Sequence, residues 1–276
     1  MLTSSSSPSK NINSAIAHDA NRAKDTAQRP ENAAERIDAV LFDYGQVLSG
    51  PPDPAAWAVL RAVSGLDEER LHAAYWKFRH DYDRCALTGR SYWDAVAADA
   101  EVRFDDAQVD ALMAADIDLW SQLNLPMVEW AGRLQRAGVR TGILSNIGDA
   151  IGEGVVARLP WLAGFDHCAW SHAMRMAKPD PAIYLKTAQA LKTEPSRILF
   201  IDDREENIAA AAEFGMQAVH YTTQDAFESE MRGRGLGWLL DVGLDGEGRR
   251  SAAAGSAKRN ANARQSNDTH SRIDAV

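Results

Sequence analysis

Short runs of apolar residues, each bounded by glycine or polar residues, recur through the middle of the chain. Runs of this kind are typical of strands buried on both faces of a parallel sheet. The predicted strands are residues 39–43, 140–145, 166–170, 198–202 and 217–221. Apolar residues at helical spacing between them predict helices at residues 126–137, 181–191 and 205–214. This alternation predicts an α/β fold, a doubly wound parallel sheet of Rossmann-like type.

One stretch interrupts the alternation, because residues 50–125 contain no convincing strand. Helical patterns there predict helices at residues 54–63, 68–83, 91–100 and 105–119. Apolar positions at helical spacing indicate the core of a small bundle: Leu71, Tyr75, Phe78 and Tyr82. A helical insert after the first strand is placed to act as a lid over that strand's end. We therefore predict a core domain of residues 36–49 and 126–244, with an inserted α-helical cap domain of residues 50–125.

The two ends of the chain differ in composition from its centre. Residues 1–35 and 245–276 lack hydrophobic periodicity, so both are predicted to be disordered tails. The 276 residues carry a formal net charge of −9, which disfavours nucleic-acid partners because phosphate contacts need clustered lysine and arginine. Cys85 and Cys168 have no metal-ligand spacing. No apolar run approaches the ~18–20 residues of a membrane span, so we predict a soluble, cytoplasmic protein with no membrane partner.

Polar residues end three of the predicted strands. Asp43 ends the first, Ser145 ends the second and is followed by Asn146, and the pair Asp202 and Asp203 ends the fourth. In open α/β sheets, ligands bind beyond the carboxyl ends of the strands. A single strand-end aspartate is more often a helix N-cap than a catalytic group. The recurrence of such residues in order along the chain favours one shared site.

These residue types suit the chemistry of a phosphate ester. A strand-end carboxylate such as Asp43 can attack phosphorus. Several carboxylates repel one another and the phosphate, so they call for a divalent cation, and Mg²⁺ prefers such oxygen ligands. Ser145 can donate a hydrogen bond to a phosphoryl oxygen, and Lys178 can neutralise charge in the transition state. The turn at Tyr44 and Gly45 can direct backbone N–H groups at phosphate.

Four segments together resemble the sequence motifs of the haloacid dehalogenase superfamily. They are FDYGQVL at residues 42–48, LSN at residues 144–146, KPDPAIY at residues 178–184 and FIDDREEN at residues 200–207. The resemblance covers about residues 38–222. Within the superfamily, the chain is similar to the branch with a helical cap, which includes sugar-phosphate phosphatases of the glucose-1-phosphate type. The segment LTGRSYW at residues 87–93 resembles the cap loop that reaches the substrate in that branch. Arg90 lies in this segment.

The resemblance implies how the substrate is bound and attacked. Asp43 is then the nucleophile, and the phosphoryl group is held by Ser145 and the N–H group of Asn146. Lys178 neutralises charge on an aspartyl-phosphate intermediate. The implied activity is that of a phosphatase, and the implied substrate is a small phosphorylated metabolite.

The resemblance also implies a set of magnesium ligands. They are the carboxylate of Asp43, the backbone carbonyl of Gly45 and the carboxylate of Asp203. Asp202 then lies beside these ligands or binds the ion through a water molecule. Mg²⁺ is therefore the cofactor that the resemblance implies.

Gly45 departs from the family pattern. Most phosphatases of the family have an aspartate at this position, which protonates the leaving oxygen and later activates water. Some members of the sugar-phosphate branch also have glycine here. Such acid–base help is typically worth ~10²–10⁴ in rate, so we expect slow turnover or a preference for good leaving groups, such as anomeric sugar phosphates or acyl phosphates. A backbone that needs positive φ would be a different reason for the glycine.

Three other functions stay open from the sequence. A 2-haloacid dehalogenase would use the same nucleophile on carbon without metal, but the pair Asp202 and Asp203 argues against it. A non-catalytic relative that binds a phosphorylated ligand or a protein is consistent with Gly45. A phosphomutase is weaker, because it needs the missing aspartate even more than a phosphatase does.

Overall fold

Five parallel strands form the centre of the structure, a computed structural model that describes residues 36–244. The strands are Ala39–Phe42 (β1), Arg140–Ser145 (β2), His167–Trp170 (β3), Ile198–Asp202 (β4) and Gln217–His220 (β5). Their spatial order is β3-β2-β1-β4-β5. The tails predicted at residues 1–35 and 245–276 lie outside the described residues. Between residues 36 and 244, no helix has the length and apolar character needed to cross a membrane.

β1 is the central strand, and its four residues are fully buried. Val40 and Phe42 point to one face of the sheet, and Ala39 and Leu41 point to the other. β1 pairs with β2 on one side and with β4 on the other, in parallel. Because parallel strands all end at the same edge, the residues that follow β1, β2 and β4 lie next to one another.

Helices cover the sheet and its carboxyl edge. Within the described range, the insert after β1 holds α1 (Pro54–Ser64), α2 (Glu68–Asp83), α3 (Gly89–Asp99) and α4 (Asp106–Leu119). The remaining helices are α5 (Leu125–Arg136), α6 (Asp149–Arg158), α7 (Ser171–Met174), α8 (Pro181–Ala190), α9 (Glu205–Glu213), α10 (Gln224–Gly233) and α11 (Gly237–Asp241). Trp130 of α5 packs against Phe42 and against Phe227 of α10, with ring centres 5.5 and 5.2 Å apart. The opposite face is covered by α8 and α9.

This arrangement confirms the predicted α/β fold, a doubly wound parallel sheet with an inserted α-helical cap. Helix α6 is one of the core helices that were not predicted from the sequence, and Gly152 and Gly154 weaken its helical pattern. A Cβ at Gly152 would lie 2.4 Å from the His172 ring, and one at Gly154 would lie 2.5 Å from Ile117 of the cap. The glycines that conceal the helix in the sequence therefore permit its close packing.

The interior of the cap combines apolar packing with a buried ion pair. Its predicted core positions pack as expected, with Leu71, Tyr75 and Tyr82 buried and Phe78 partly buried. Between them, the Arg79 guanidinium lies 3.2 Å from the buried carboxylate of Asp116. The Tyr75 hydroxyl donates a hydrogen bond to the same carboxylate, at 2.8 Å. A polar network whose members are all paired rigidifies the bundle that carries it.

The cap rests directly on the loops that follow β2 and β3. The Tyr82 ring covers Gly148, where a Cβ would lie 2.1 Å from the ring. The Ser171 hydroxyl donates to the backbone carbonyl of Asp83, at 2.7 Å. These contacts place the cap over the carboxyl edge of the sheet, where the candidate site lies.

Candidate active site

Asp43 follows β1 directly and is held there by the neighbouring strand. Its N–H group donates to the Ile201 carbonyl of β4 at 2.8 Å, and its side chain accepts the N–H of Tyr44 at 2.7 Å. The residue is only 6% exposed. A backbone fixed on both sides and a short side chain leave the carboxylate in one well-defined position.

Lys178 is buried between two carboxylates. Its Nζ lies 3.1 Å from Asp43 Oδ1 and 2.6 Å from Asp202 Oδ2. The Asn146 side chain positions this lysine, because its amide exchanges two 2.8 Å hydrogen bonds with the N–H and C=O groups of Lys178. Burial alone would lower the pKa of Lys178, but the two carboxylates raise it above its ordinary value. The ammonium is therefore a permanent positive charge next to Asp43.

The two adjacent aspartates after β4 have different surroundings. Asp202 is fully buried, and its carboxylate accepts hydrogen bonds from Lys178, the Asn207 amide at 2.9 and 3.1 Å and the Arg204 N–H at 2.8 Å. Asp203 is partly exposed. Its Oδ2 accepts one hydrogen bond from the Gln46 side chain at 2.7 Å. Asp202 thus orients Lys178, while Asp203 faces more open space.

Asp43, Asp202 and Asp203 form a compact carboxylate cluster. Each offers an oxygen, and these three oxygens all lie within 4.8 Å of one another. Three carboxylates against the single ammonium of Lys178 leave an excess of negative charge. An all-oxygen donor set with that excess fits a hard divalent cation such as Mg²⁺. Because hydrogen bonds already surround Asp202, Asp43 and Asp203 are the residues best placed to hold such an ion directly.

The same surroundings change the acidity of Asp43. Burial is the largest cause and raises its pKa; Lys178 and Ser145 lower it, while Asp202 and Asp203 raise it further. The net effect lifts the pKa of Asp43 from its ordinary value of 3.8 to about 7. Without a cation, much of this carboxyl group is protonated at neutral pH. A bound cation would favour the ionised form that a nucleophile requires.

This raised pKa predicts how the stability of the metal-free protein depends on pH. Between pH 4 and 7 the unfolded chain releases the Asp43 proton and the folded protein keeps it, so stability falls as pH rises. At ~1.4 kcal/mol per pKa unit, a shift of about three units corresponds to a loss of about 4 kcal/mol. Asp43→Asn removes this term. Urea unfolding in EDTA should therefore show wild type losing stability relative to the variant between pH 4 and 8, and the opposite slope would contradict the raised pKa.

A family model described as haloacid dehalogenase-like hydrolase matches residues 37–215 of the chain. The chain belongs to this family. The carboxylate cluster, Lys178 and the strand-end serine all lie within the matched residues. The sequence motifs that resemble the superfamily are therefore parts of one assembled site in a member of the family.

Individual relatives agree with this assignment. The chain is 28% identical to bifunctional epoxide hydrolase 2 of Sus scrofa over 198 residues, which are 66% of this chain and 36% of that protein. It therefore spans only about a third of that relative's length. It is also 28% identical to the N-acetylmuramic acid 6-phosphate phosphatase of Pseudomonas aeruginosa over 200 residues, 67% of this chain and 83% of that one.

A solved structure shares the fold. It is a haloacid dehalogenase family enzyme from Bacteroides thetaiotaomicron in complex with magnesium and inorganic phosphate. The TM-score is 0.56 at 20% identity, and the match covers 68% of this chain and 96% of the other. At this identity the comparison shows the fold.

The structure brings most of the predicted site residues together. Ser145 is buried at the end of β2, and its side chain lies near enough to Asp43 to lower the pKa of that carboxyl group. Asn146 and Lys178 follow in adjacent loops. Gly45 is partly exposed, and a Cβ built on it meets no atom within 4 Å. The site therefore has free space beside Gly45, at the position where the family usually has an aspartate.

Two residues predicted to bind the substrate, Tyr44 and Arg90, have other partners. The N–H of Tyr44 is bonded to Asp43, and its buried hydroxyl donates to the Trp120 carbonyl at 2.8 Å. The Arg90 guanidinium pairs with Asp106 and Asp110 of α4, at 2.8 and 3.4 Å. Tyr44 instead joins the core to the cap. Arg90 lies on the surface of the cap, where it reaches those two carboxylates.

Gln46 was not identified from the sequence, although it borders the carboxylate cluster. Its φ of 56° is unusual for a residue other than glycine. Its N–H donates to Ser49 Oγ at 3.1 Å, and its side-chain amide donates to Asp203. The only signal in the sequence is a polar residue three positions after Asp43. A strained backbone that points an amide at the cluster suggests a functional constraint.

Proposed function

We propose that this protein is a magnesium-dependent phosphatase that hydrolyses a small phosphorylated metabolite, such as a sugar phosphate. The observation that carries the proposal is the Asp43 carboxylate held 3.1 Å from the buried ammonium of Lys178, within a cluster of carboxylates that suits a divalent cation. The core domain, residues 36–49 and 126–244, supplies the chemistry, and the cap domain, residues 50–125, covers it. A cytoplasmic location without nucleic-acid or membrane partners belongs to the same proposal.

In the first step, the Asp43 carboxylate attacks phosphorus while the ester bond to the leaving oxygen breaks. This produces an aspartyl-phosphate and an alcohol or alkoxide. The Ser145 hydroxyl and the N–H of Asn146 hold the phosphoryl oxygens, and Lys178 offsets their negative charge. Held by Asp43 and Asp203, Mg²⁺ would supply further positive charge to offset the carboxylates and the phosphate. In the second step, water attacks phosphorus, releasing phosphate and restoring Asp43.

The charge of the site supports a phosphatase over a 2-haloacid dehalogenase. A dehalogenase must attract a substrate carboxylate to Asp43 without a metal ion. Here Asp202 and Asp203 surround that position, and Lys178 already pairs with Asp43 and Asp202. A substrate carboxylate would meet net repulsion. The sugar-phosphate phosphatase of Pseudomonas aeruginosa among the relatives also supports the phosphatase.

The proposal predicts a strict requirement for a divalent cation. In a screen of phosphorylated metabolites, hydrolysis should need Mg²⁺ and stop in excess EDTA, because the single ammonium of Lys178 does not offset three carboxylates and a phosphate. Asp203→Ala should raise the Mg²⁺ concentration needed or abolish phosphate release. Asp225→Ala, at an exposed aspartate of α10, is the matched control and should behave as wild type. Full phosphatase activity in EDTA would contradict the proposal and favour the metal-free dehalogenase.

A further inference from the structure

A cleft of about 790 Å³ opens at the junction of core and cap, and Asp203 is one of its walls. We call it the hinge cleft, because residues 49–51 and 123–126, which connect the cap to the core, line it together with Gln46 and residues 221–222. The two connections run side by side: Gly50 N–H donates to the Gln122 carbonyl at 2.8 Å, and Asn124 N–H donates to the Leu48 carbonyl at 3.0 Å. Through Asp203, the hinge cleft borders the carboxylate cluster.

The lining of the hinge cleft is polar but almost uncharged. Its polar side chains carry amides and hydroxyls: Gln46, Ser49, Asn124, Tyr221 and Thr222. Its apolar side chains are proline and leucine. Among these lining residues, Asp203 is the single charged group, and none is a lysine, arginine or histidine. Amides and hydroxyls suit the hydroxyl groups of a polyol, whereas a second anionic group would find no cationic side chain among these lining residues to pair with it.

Several lining side chains are already fixed in place. The Asn124 amide donates to the Val47 carbonyl at 2.9 Å and to the Tyr221 hydroxyl at 2.8 Å. The Tyr221 hydroxyl donates in turn to Gln224 at 3.4 Å. Gln46 is held by Ser49 and contacts Asp203. A pre-organised polar wall of this kind favours specific binding, because little side-chain entropy remains to be lost.

The cap loop that was expected to reach the substrate does not line this cleft. The N–H of Gly89 is bonded to the Asp149 carboxylate of α6, at 2.8 Å. The next residue, Arg90, is paired within the cap. Arg90 is the basic side chain of this loop that could recognise a second anionic group, and it pairs with residues of the cap instead.

We propose that the hinge cleft binds the leaving group of the substrate and selects a neutral polyol, a sugar without a second acidic group. This inference rests on the proposed phosphatase function and specifies its substrate class. It assigns specificity to the two connections between core and cap and to Gln46. It also separates this protein from its Pseudomonas aeruginosa relative, whose N-acetylmuramic acid 6-phosphate carries a carboxylate on the sugar.

A matched pair of esters tests the selection. N-acetylglucosamine 6-phosphate and N-acetylmuramic acid 6-phosphate have the same phosphorylated position, and the second adds a lactyl carboxylate. Wild type with Mg²⁺ should show at least about tenfold higher kcat/KM for the neutral ester, the discrimination expected from ~1.4 kcal/mol. Equal values, or a preference for the acidic ester, would overturn the selection.

A charge introduced into the cleft tests its location. Leu125 lines the hinge cleft and is 59% exposed, so Leu125→Lys adds a cation there without opening the core. An exposed ion pair is worth up to ~1 kcal/mol, so the kcat/KM ratio of acidic to neutral ester should rise about three- to fivefold. Leu185→Lys, at a 47% exposed leucine of α8, is the matched control and should leave the ratio unchanged. Melting temperatures of both variants establish that they are folded.

The outcomes separate this inference from the proposed function. If wild type hydrolyses the esters and Leu125→Lys leaves their ratio unchanged, the leaving group does not lie in the hinge cleft, and the phosphatase proposal stands. If neither ester nor p-nitrophenyl phosphate is hydrolysed, the phosphatase proposal fails. Calorimetric binding of both esters to Asp43→Asn with Mg²⁺ then decides on the cleft. The inference requires that the neutral ester bind more tightly than the acidic ester. It also requires that adding Leu125→Lys raise the affinity for the acidic ester relative to the neutral one. Equal or absent binding overturns the inference.

Discussion

Replacing Asp43 with asparagine is expected to lower turnover by at least about four orders of magnitude, as the loss of an essential nucleophile does in other hydrolases. The amide has nearly the shape of the carboxylate, but it lacks the negative charge that attacks phosphorus. Its oxygen can still accept the Tyr44 N–H, which is 2.7 Å from the carboxylate in wild type. Lys178 keeps Asp202 as a partner at 2.6 Å. The variant should therefore fold normally and fail chemically.

The measurement is phosphate release with Mg²⁺, together with circular dichroism and a melting curve. Asp225→Asn is the matched control, because this aspartate is exposed on α10 and is not part of the carboxylate cluster. A folded Asp43→Asn variant that retains near wild-type turnover would remove Asp43 as the nucleophile. Loss of turnover together with unfolding would instead show that Asp43 supports the fold, and binding of Mg²⁺ by the folded fraction would then be measured.

The elements that could be predicted from the sequence are those with strong local signals. Continuous apolar runs identified the central strands, because strands buried on both faces have no polar alternation. Polar residues at the ends of those runs identified Asp43, Ser145 and Asp202, since strand ends in a parallel sheet converge whatever the loops do. The cap helices were predicted because apolar residues recur at helical spacing in that stretch. Helix α6 was not, since two glycines required by close packing weaken its pattern.

What could not be predicted depends on contacts between distant residues. Tyr44 directly follows Asp43 and Arg90 lies in the predicted cap loop, but both side chains have partners elsewhere, 76 residues away for Tyr44 and 16 residues away for Arg90. The interaction of Gln46 with Asp203 spans 157 residues and depends on a positive φ that no local pattern indicates. The different surroundings of Asp202 and Asp203 also depend on tertiary contacts, because they are set by which carboxylate the Asn207 amide reaches.

Gly45 can be interpreted more sharply with the structure than from the sequence. Its φ is −62° and its ψ is 126°, a conformation that any residue adopts, and the positive φ of this turn belongs to Gln46. A Cβ on Gly45 would meet no heavy atom within 4 Å. Neither backbone conformation nor crowding therefore requires glycine here. The remaining explanation is chemical: the site has no carboxyl group at this position, and the leaving oxygen departs without its help.

Gly45→Asp should consequently create an acid–base catalyst. With wild type, the rate should depend steeply on the pKa of the leaving group, so aryl and acyl phosphates are cleaved much faster than primary alkyl phosphates. The introduced carboxyl group can protonate the departing oxygen, which should raise kcat on primary alkyl phosphates by about 10²-fold, the lower end of the usual range for general acid–base catalysis. Esters with good leaving groups need no proton and should gain little, so the dependence should become shallow.

Gly45→Asn is the matched control, because it adds a side chain of the same size without a transferable proton. It should keep the steep dependence of wild type, which separates catalysis from any effect of filling the space beside the glycine. The measurement is kcat across a series of phosphate esters that spans leaving-group pKa, for wild type and both variants. A shallow dependence in wild type, with no gain in a folded Gly45→Asp variant, would mean that another group already donates the proton.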